Sequence, residues 1–590
     1  MSKRSTKVVF LIFILALLVR VPLLPRKGYV GDTAWWIYWG KHAADYGIVD
    51  VYDKVWCNYP PLFVYVLGSI HKGISPYAPG TETIAGKKIE PSRLIKVCYN
   101  SAYYRIFYKL PGIFGDLVCG LLLFLFIRKF HGERWAMAVA GLFLLNPAII
   151  QTSAYWGQVD SVYTALVFFC VWALIEKKWR ILGGLFSIAL LIKLQPIVLS
   201  PLLFIVTWRQ GGRKAIAHAG IAFIATCTVL LFPFLAQNRM DNVIKVYSGL
   251  VDTYPNWSLY AFNFWWLIAG GLDARQLVDT IYLGNLIQAN IFGFIMLSSV
   301  VAMISLKIWR LKTIETEKII TAASGLALAF FCLPTQIHER YLFMSIIFLA
   351  ALLPYKKERI LPYGLLSTGF FISLATAINT SYPEWSPLWW PDSTWINGIS
   401  ITVSLINLCI FLWILTLLIG RDRFIVLSGG FILTGGICLC SYQTLSLGRE
   451  PVALTRFKPT RATQDWGNFQ INRSVSSDRI WIGDLPFSTG LGTHANSRIT
   501  YSLPRGKFKR LSGYIGKDDD VQLRQNNIQF LIYDQARKKL FDSGRIGRHG
   551  LPYSFSIDIT DVDALSFIVN DGGDGIHSDH ANWADVMLYP

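Results

Sequence analysis

Residues 181–208 read ILGGLFSIALLIKLQPIVLSPLLFIVTW, and how this stretch is taken decides the fold. It stays apolar for longer than the roughly 20 residues that a helix needs to cross the hydrocarbon of a bilayer. Near its middle stands Lys193-Leu194-Gln195-Pro196. Proline removes a helical hydrogen bond, and backbone freed at that depth is tolerated only where it is buried in protein or lines a cavity. The stretch therefore reads as two short helices turning at the KLQP segment. Lys193, between Ile192 and Leu194, must find an anion or a water-filled cavity there, so functional use is its default.

Apolar runs of helical length recur at about residues 8–25, 111–128, 135–153, 159–176, 215–236, 288–306, 318–334, 341–354, 361–379, 396–419 and 423–441. With 181–208 counted as two they make about thirteen spans. Composition agrees: of 590 residues 53% are hydrophobic and 16% charged, with mean hydropathy +0.41. That excludes a soluble multidomain protein and implies a polytopic α-helical membrane protein, with the lipid bilayer as its first partner. The net charge of +19 sits in short clusters between the runs, as orientation signals do, and no nucleic-acid partner is expected. Met1 to Lys7 followed by Val8 to Leu24 has no small-residue cleavage site after it. An uncleaved first helix is the expectation.

The flanks Lys3-Arg4, Arg128-Lys129, Glu176 to Arg180, Arg209 to Lys214, Lys307 to Lys318, Lys356 to Arg359 and Arg421-Asp422-Arg423 all fall on one side. The positive-inside rule makes that side cytoplasmic, N-terminus included. The other side receives a long first outer loop at 28–110, the turn Tyr155 to Asp160, the KLQP turn, Tyr254 to Trp257, Gln336 to Arg340 and the Trp-rich loop 381–395. The polar motifs thus converge outside, which favours one extracytoplasmic site over scattered structural polar residues. An odd span count leaves the C-terminus outside as well.

In the first outer loop, Gly31-Asp32-Thr33-Ala34-Trp35-Trp36 precedes Asn58-Tyr59-Pro60-Pro61-Leu62, which places a carboxylate among aromatics at the membrane surface. Asp32 is suited to take the proton from a hydroxyl brought to the bilayer edge, the alternative being a solvated Asp in an interfacial aromatic belt. A sugar on a lipid phosphate is a ready donor for such a base, because its phosphate leaves once cations hold it. Arg340, His338 and Lys193 are the phosphate-holding candidates, although His338-Glu339-Arg340 also fits a solvated helix cap. Tyr59, Asp116, Trp156, Gln158, Asp160, Gln195 and Glu339 are candidates for a donor or acceptor subsite. Asp116 fits a structural partner for a basic residue equally well, and Asp160 fits an N-cap. One base opposite a phosphate site implies a single in-line displacement with inversion.

No metal-ligand spacing such as His-Glu-x-x-His occurs, so no obligatory metal or other cofactor is expected, a divalent ion remaining an open alternative. Nine cysteines are scattered with none after Cys440, so no disulfide framework holds the tail. Cys57 and Cys98 share the first outer loop, where an oxidising compartment can pair them or leave them apart.

After about residue 445 the long apolar runs stop. Short alternating segments replace them, Arg498 to Leu503, Ile528 to Tyr533, Ser554 to Ile559 and Ala564 to Val569, separated by Gly, Asp and Asn turns. That is the pattern of an all-β jelly roll or β-sandwich. The expected organisation is a transmembrane domain at 1–445, a linker at 446–459 and a β-domain at 460–590.

The ordered set Gly31-Asp32, Tyr59-Pro60-Pro61-Leu62, Trp156-Gly157-Gln158-Val159-Asp160-Ser161, Lys193-Leu194-Gln195-Pro196 and His338-Glu339-Arg340-Tyr341 resembles the GT-C superfamily of glycosyltransferases. It is similar to bacterial mannosyltransferase-like proteins and to the dolichyl-phosphate-glucose glucosyltransferases. The resemblance covers roughly residues 8 to 440 and implies a polyprenyl-phosphate sugar donor, inversion, Asp32 as base, and residence in a bacterial inner or plasma membrane. HER and GQVD stand where the eukaryotic enzymes have His-Glu-Lys and Gly-His-Phe-Gln types, which leaves the hexose open. The tail resembles the NPCBM carbohydrate-binding module through Gly492 to Ser497, Leu511 to Gly516, Phe541 to Gly544, Asp571 to Gly575 and Asp579 to Asp585. That likeness points to His494, Asp579, His580 and Trp583 for ligand contact, with cation-stabilised turns as the alternative role of the Asp-rich loops.

The expected function is transfer of a hexose, mannose or glucose in class, from a polyprenyl-phosphate donor to a lipid-linked or cell-envelope glycan acceptor. The alternative is a transporter, flippase or receptor for lipid-linked glycans. Transporters commonly repeat their broken helices in two halves, whereas the KLQP break has no second copy.

Overall fold

The computed structural model describes residues 3–77, 101–249, 256–275, 282–283, 287–382, 391, 393–420, 451–483, 485–504, 506–520, 527–546 and 552–589. Its contacts divide the chain into two compact units, one reaching Tyr442 and one beginning at Gln443.

The first unit is helical. Its centre is Phe343–Leu352, all ten residues of which are buried, packed against Thr316–Cys332. A helix apolar on every side belongs in such an interior. The outer helices instead carry bare apolar side chains, with Phe10, Ile221, Val229 and Phe294 each more than 60% exposed. Surfaces of that kind suit lipid, where no water is repelled. Six described helices are long and apolar enough to cross a membrane, or seven if the bent pair Glu133–Leu144 and Pro147–Trp156 counts as one. This does not reproduce the expected thirteen. Asp160–Ile175 and Trp179–Ile192 are shorter apolar helices, and the run 423–441 lies outside the described residues.

One expectation is corrected. The described part of the first outer loop is largely helical, with Val30–Tyr46, Ile48–Lys54 and Pro61–Ile74. In the last of these, Phe63, Val64, Leu67, Gly68, His71 and Ile74 are buried, the one-sided spacing of an amphipathic helix too short to read as a span. The KLQP stretch breaks the chain as expected: Trp179–Ile192 ends there, a 3-10 turn Gln195–Leu199 comes next, and a second helix runs from Ser200 to a kink at Gly212 (φ 61°, ψ −155°), beyond which a further helix reaches Leu230. The basic cluster at 209–214 thus sits on a kinked helix. Cys57 carries a free buried thiol, and Cys98 lies outside the described residues, as does most of the Trp-rich loop.

The flanks read as cytoplasmic meet one another. Lys129 pairs with Glu176 at 2.5 Å, Arg359 with Glu317, and Arg209 donates to the carbonyls of Ile308 and Leu311.

The second unit is a sandwich of two antiparallel sheets. One runs Tyr553–Asp558, Arg510–Lys517, His580–Tyr589, Gly490–His494, Gln470–Ile471, with Val452–Ala453 beside His580–Tyr589. The other runs Lys539–Ile546, Ile528–Tyr533, Ala564–Asn570, Ser497–Ser502, Arg461–Gln464. All four alternating segments named from the sequence lie on strands. Burial alternates strictly along Ala564–Asn570, because successive side chains of a strand face opposite sides. Trp583 fills the core, meeting Phe530, Phe555 and Phe567 edge-on at 4.9, 5.9 and 5.0 Å.

Candidate active site

Asp32 lies in the first turn of Val30–Tyr46, where a negative charge suits the helix dipole. The preceding Gly31 N–H donates to the Tyr382 hydroxyl at 3.2 Å, satisfying a helix-start donor that no local side chain reaches. Gly28 brings the chain in against the Tyr155 carbonyl so closely that a Cβ there would lie 2.1 Å from that oxygen.

The partner segment is a π-helical turn, Gln151–Trp156, closed by Gly157 in the left-handed region (φ 100°). Such turns carry an extra residue and re-aim the side chains beyond them. Here the N–H groups of Gly157 and Gln158 both donate to the Thr152 carbonyl at 3.1 and 2.9 Å. The result points two side chains at one acid: Trp156 Nε1 and Gln158 Nε2 donate to Asp32 Oδ2 at 2.8 and 2.5 Å. The Trp156 indole is held flat against Tyr29, 4.8 Å between centroids at 7°.

Lys193 caps Trp179–Ile192 in an extended conformation. Its Nζ donates to Asp160 Oδ2 at 3.0 Å and lies 5.5 Å from the Tyr59 ring and 5.8 Å from that of Tyr163. Arg340 comes after a short strand, Ile337–His338, paired in parallel with Ser258–Leu259. Arg340 Nη1 donates to Glu339 Oε1 at 3.0 Å and to His338 Nδ1 at 3.2 Å, and the guanidinium sits 5.9 Å over the Trp156 ring. Burial, helped by the neighbouring Arg340 charge, pushes the His338 imidazole below its ordinary value. It therefore serves Arg340 as a neutral acceptor, and Lys193 and Arg340 are the cluster's cations. Each cation has its own carboxylate, Asp160 or Glu339. Asp32 instead receives only neutral N–H groups among the described residues. Gln195 Oε1, Gln158 Oε1, Asp160 Oδ1 and Arg340 Nε are buried without a hydrogen-bond partner, polar atoms that an incoming hydroxyl-rich ligand would satisfy.

The structure thus gathers Asp32, Tyr59, Trp156, Gln158, Asp160, Lys193, His338, Glu339 and Arg340. Asp116 is the exception. Arg20 Nε and Nη2 donate to its Oδ2 at 3.0 and 2.9 Å, and Ser153 Oγ donates to the same atom. This is the geometry of the structural alternative, a buried carboxylate with a cation of its own. Tyr29 and Tyr382 were missed. Tyr29 stands three residues before Asp32, but nothing in the sequence links Tyr382 to Gly31 across 351 residues. Among the described residues no group of three His, Cys, Asp or Glu side chains is placed to hold a metal ion.

In the second unit, Trp466 is 53% exposed and stacks on His580, 5.4 Å at 18°, with His494 at 5.2 Å. His580 Nδ1 lies 2.8 Å from Asp520 Oδ1. Two residues expected at the ligand are buried. Trp583 is a core side chain, because the strand register turns it inward. Asp579 is wholly buried, 3.8 Å from Lys517 Nζ. Trp466, a lone aromatic in a polar connector, gave no signal in the sequence.

Apolar helices bearing such an acid and cation cluster, followed in the chain by a β-sandwich, make this an integral membrane protein with an appended all-β unit. The sequence profile of the ALG6, ALG8 glycosyltransferase family matches residues 54–412, and the chain belongs to that family. Asp32 precedes the matched segment, so its standing rests on geometry. The NPCBM/NEW2 domain profile matches residues 450–589. GPI mannosyltransferase 1 of Saccharomyces cerevisiae is 24% identical over 203 residues, 32% of this chain and 49% of that protein. Alpha-1,3-galactosidase B of Akkermansia muciniphila is 30% identical over 125 residues, 21% of this chain and 16% of that protein. The chain therefore spans half or less of these relatives. The crystal structure of apo ArnT from Cupriavidus metallidurans aligns at 15% identity over 76% of this chain and 79% of that one, with a TM-score of 0.37.

Proposed function

We propose that the protein transfers a hexose, of the mannose or glucose class, from a polyprenyl-phosphate donor to a lipid-linked or cell-envelope glycan on the extracytoplasmic face. The reading is supported above all by Asp32, an acid without a cation partner set beside two buried cations. In the step, Asp32 takes the acceptor hydroxyl proton while the acceptor oxygen attacks the anomeric carbon. The bond from that carbon to the phosphate oxygen breaks on the opposite face, its electron pair leaving with the phosphate, and the configuration inverts. Arg340, through its unpartnered Nε–H, and Lys193 meet the growing phosphate charge. This supply of cations supports a step without an obligatory metal. The basic flanks support a cytoplasmic N-terminus with the motif cluster and the C-terminal module outside. Trp466, His494 and His580 would hold the acceptor or product glycan.

The test is transfer from synthetic polyprenyl-phosphate mannose and glucose by detergent-purified protein, with envelope extract as acceptor. Use of one donor, reduced about 10²- to 10⁴-fold in Asp32→Asn, is the expected result. Consumption of neither donor, with envelope glycan still bound and translocated by vesicles, would establish a transporter instead.

A further inference from the structure

A carboxylate has two oxygens, and the two hydrogen bonds that hold Asp32 both fall on Oδ2. No described protein group donates to Oδ1. The donors come from one rigid segment. Trp156 is 2% exposed and clamped by Tyr29, Gln158 is fully buried, and the backbone between them is fixed by the shared Thr152 carbonyl. The indole has one N–H and has given it to Asp32, so it has none left for a sugar.

We propose that Trp156 and Gln158 are positioning residues for the base. They fix the plane of the Asp32 carboxylate through Oδ2 and present Oδ1 as the atom that receives the acceptor proton. The inference rests on the reading of Asp32 as the base given under Proposed function. In the step, the acceptor O–H bond breaks, the proton passes to Oδ1, and the electron pair stays on the acceptor oxygen that bonds to the anomeric carbon. Amide and indole N–H groups suit this role. A full cation at Oδ2 would favour the ionised carboxylate strongly and weaken it as a base, whereas neutral donors orient it at less cost to basicity. Orientation within fractions of an ångström is what an in-line displacement needs from its base.

The test uses Trp156→Phe, which keeps the ring on Tyr29 without the N–H, and Gln158→Met, which keeps the length without the amide. Each is compared with wild type and Asp32→Asn on whichever of polyprenyl-phosphate mannose or glucose the wild type uses. The expected result is a fall in kcat of about 10- to 100-fold for each variant, with donor KM and radiolabelled-donor binding within about twofold. The double variant should fall no further than Asp32→Asn. Infrared difference spectra against Asp32→Asn should show the Asp32 carboxylate band moving in Gln158→Met, a shift that a purely structural role would not produce. Unchanged kcat in both variants with Asp32→Asn inactive overturns the positioning role and leaves the base standing. Raised donor KM at unchanged kcat makes them sugar contacts and overturns it too. Full transfer by Asp32→Asn removes the base itself. If Trp156→Phe does not fold, Gln158→Met decides alone.

Discussion

Lys193 and Asp160 meet as a buried ion pair, Nζ to Oδ2 at 3.0 Å, formed between the break after Trp179–Ile192 and the first residue of Asp160–Ile175. Removing one partner leaves the other charge uncompensated. Lys193→Met is expected to cost about 3–5 kcal/mol of stability. Adding Asp160→Asn should recover the thermal transition without recovering transfer, because the phosphate has still lost a cation. Calorimetry and the transfer assay read the two effects separately.

Arg20 and Asp116 should behave in the opposite way. Asp116→Ala alone leaves Arg20 buried and unpaired, again at about 3–5 kcal/mol. The double replacement Arg20→Met with Asp116→Leu should restore folding and keep kcat within about threefold of wild type, since an apolar pair can replace a buried ion pair. A catalytic Asp116 would leave that double variant inactive however stable it was.

Gly28 holds the chain against Tyr155 at a φ of +60°. Gly28→Ala should destabilise by about 1–3 kcal/mol from backbone strain alone, more if the carbonyl cannot shift. Transfer should fall as well, because the displaced helix start carries Asp32. The comparison that checks this is Gly132→Ala, whose added Cβ meets nothing within 4 Å and which should lose stability by strain without losing transfer.

Asp579 supplies a pH dependence. Burial pushes its carboxyl from 3.8 up to about 7, with Lys517 opposing and Asp574, Asp571 and His580 nearby. The folded module therefore binds this proton more tightly than the unfolded chain does. Its stabilisation is full below pH 3.8 and lost as the pH rises through 7. Between pH 8.5 and 6.5, the module's unfolding transition in the full protein should gain about 1 kcal/mol. Asp579→Asn should reduce that gain, the remainder coming from Asp518, whose carboxyl is also pushed well above its ordinary value by burial. The window avoids the range below, where His494, held down by burial, charges at a cost to stability.

Trp466 and Trp583 should separate binding from folding. Trp466→Ala is expected to weaken envelope-glycan binding about tenfold, or roughly 1.4 kcal/mol, with an unchanged thermal transition. Trp583→Ala, which empties the core, should cost about 3–5 kcal/mol of stability. Isothermal titration with released glycan, beside calorimetry, checks both.

Much of this architecture was legible in the sequence, for identifiable reasons. Long apolar runs marked the helices, Pro196 marked the break beside Lys193, and alternation marked the strands of the tail. What escaped was short or long-range. Val30–Tyr46 and Pro61–Ile74 are interrupted by polar residues and fall below span length, so neither stands out as a long apolar run. The partners of Asp116 and Gly31 lie 96 and 351 residues away, beyond any local pattern. Trp583 was misplaced because an aromatic on a strand faces in or out by register, which composition does not reveal.

The pairing of each cation with its own acid also bears on which donors can approach. Three carboxylates, Asp32, Asp160 and Glu339, stand against two cations, Lys193 and Arg340. Among these five side chains the acids outnumber the cations by one, and Asp32 is the one left without a cation. An incoming anion would therefore meet Lys193 and Arg340 already engaged and would have to share each with Asp160 or Glu339.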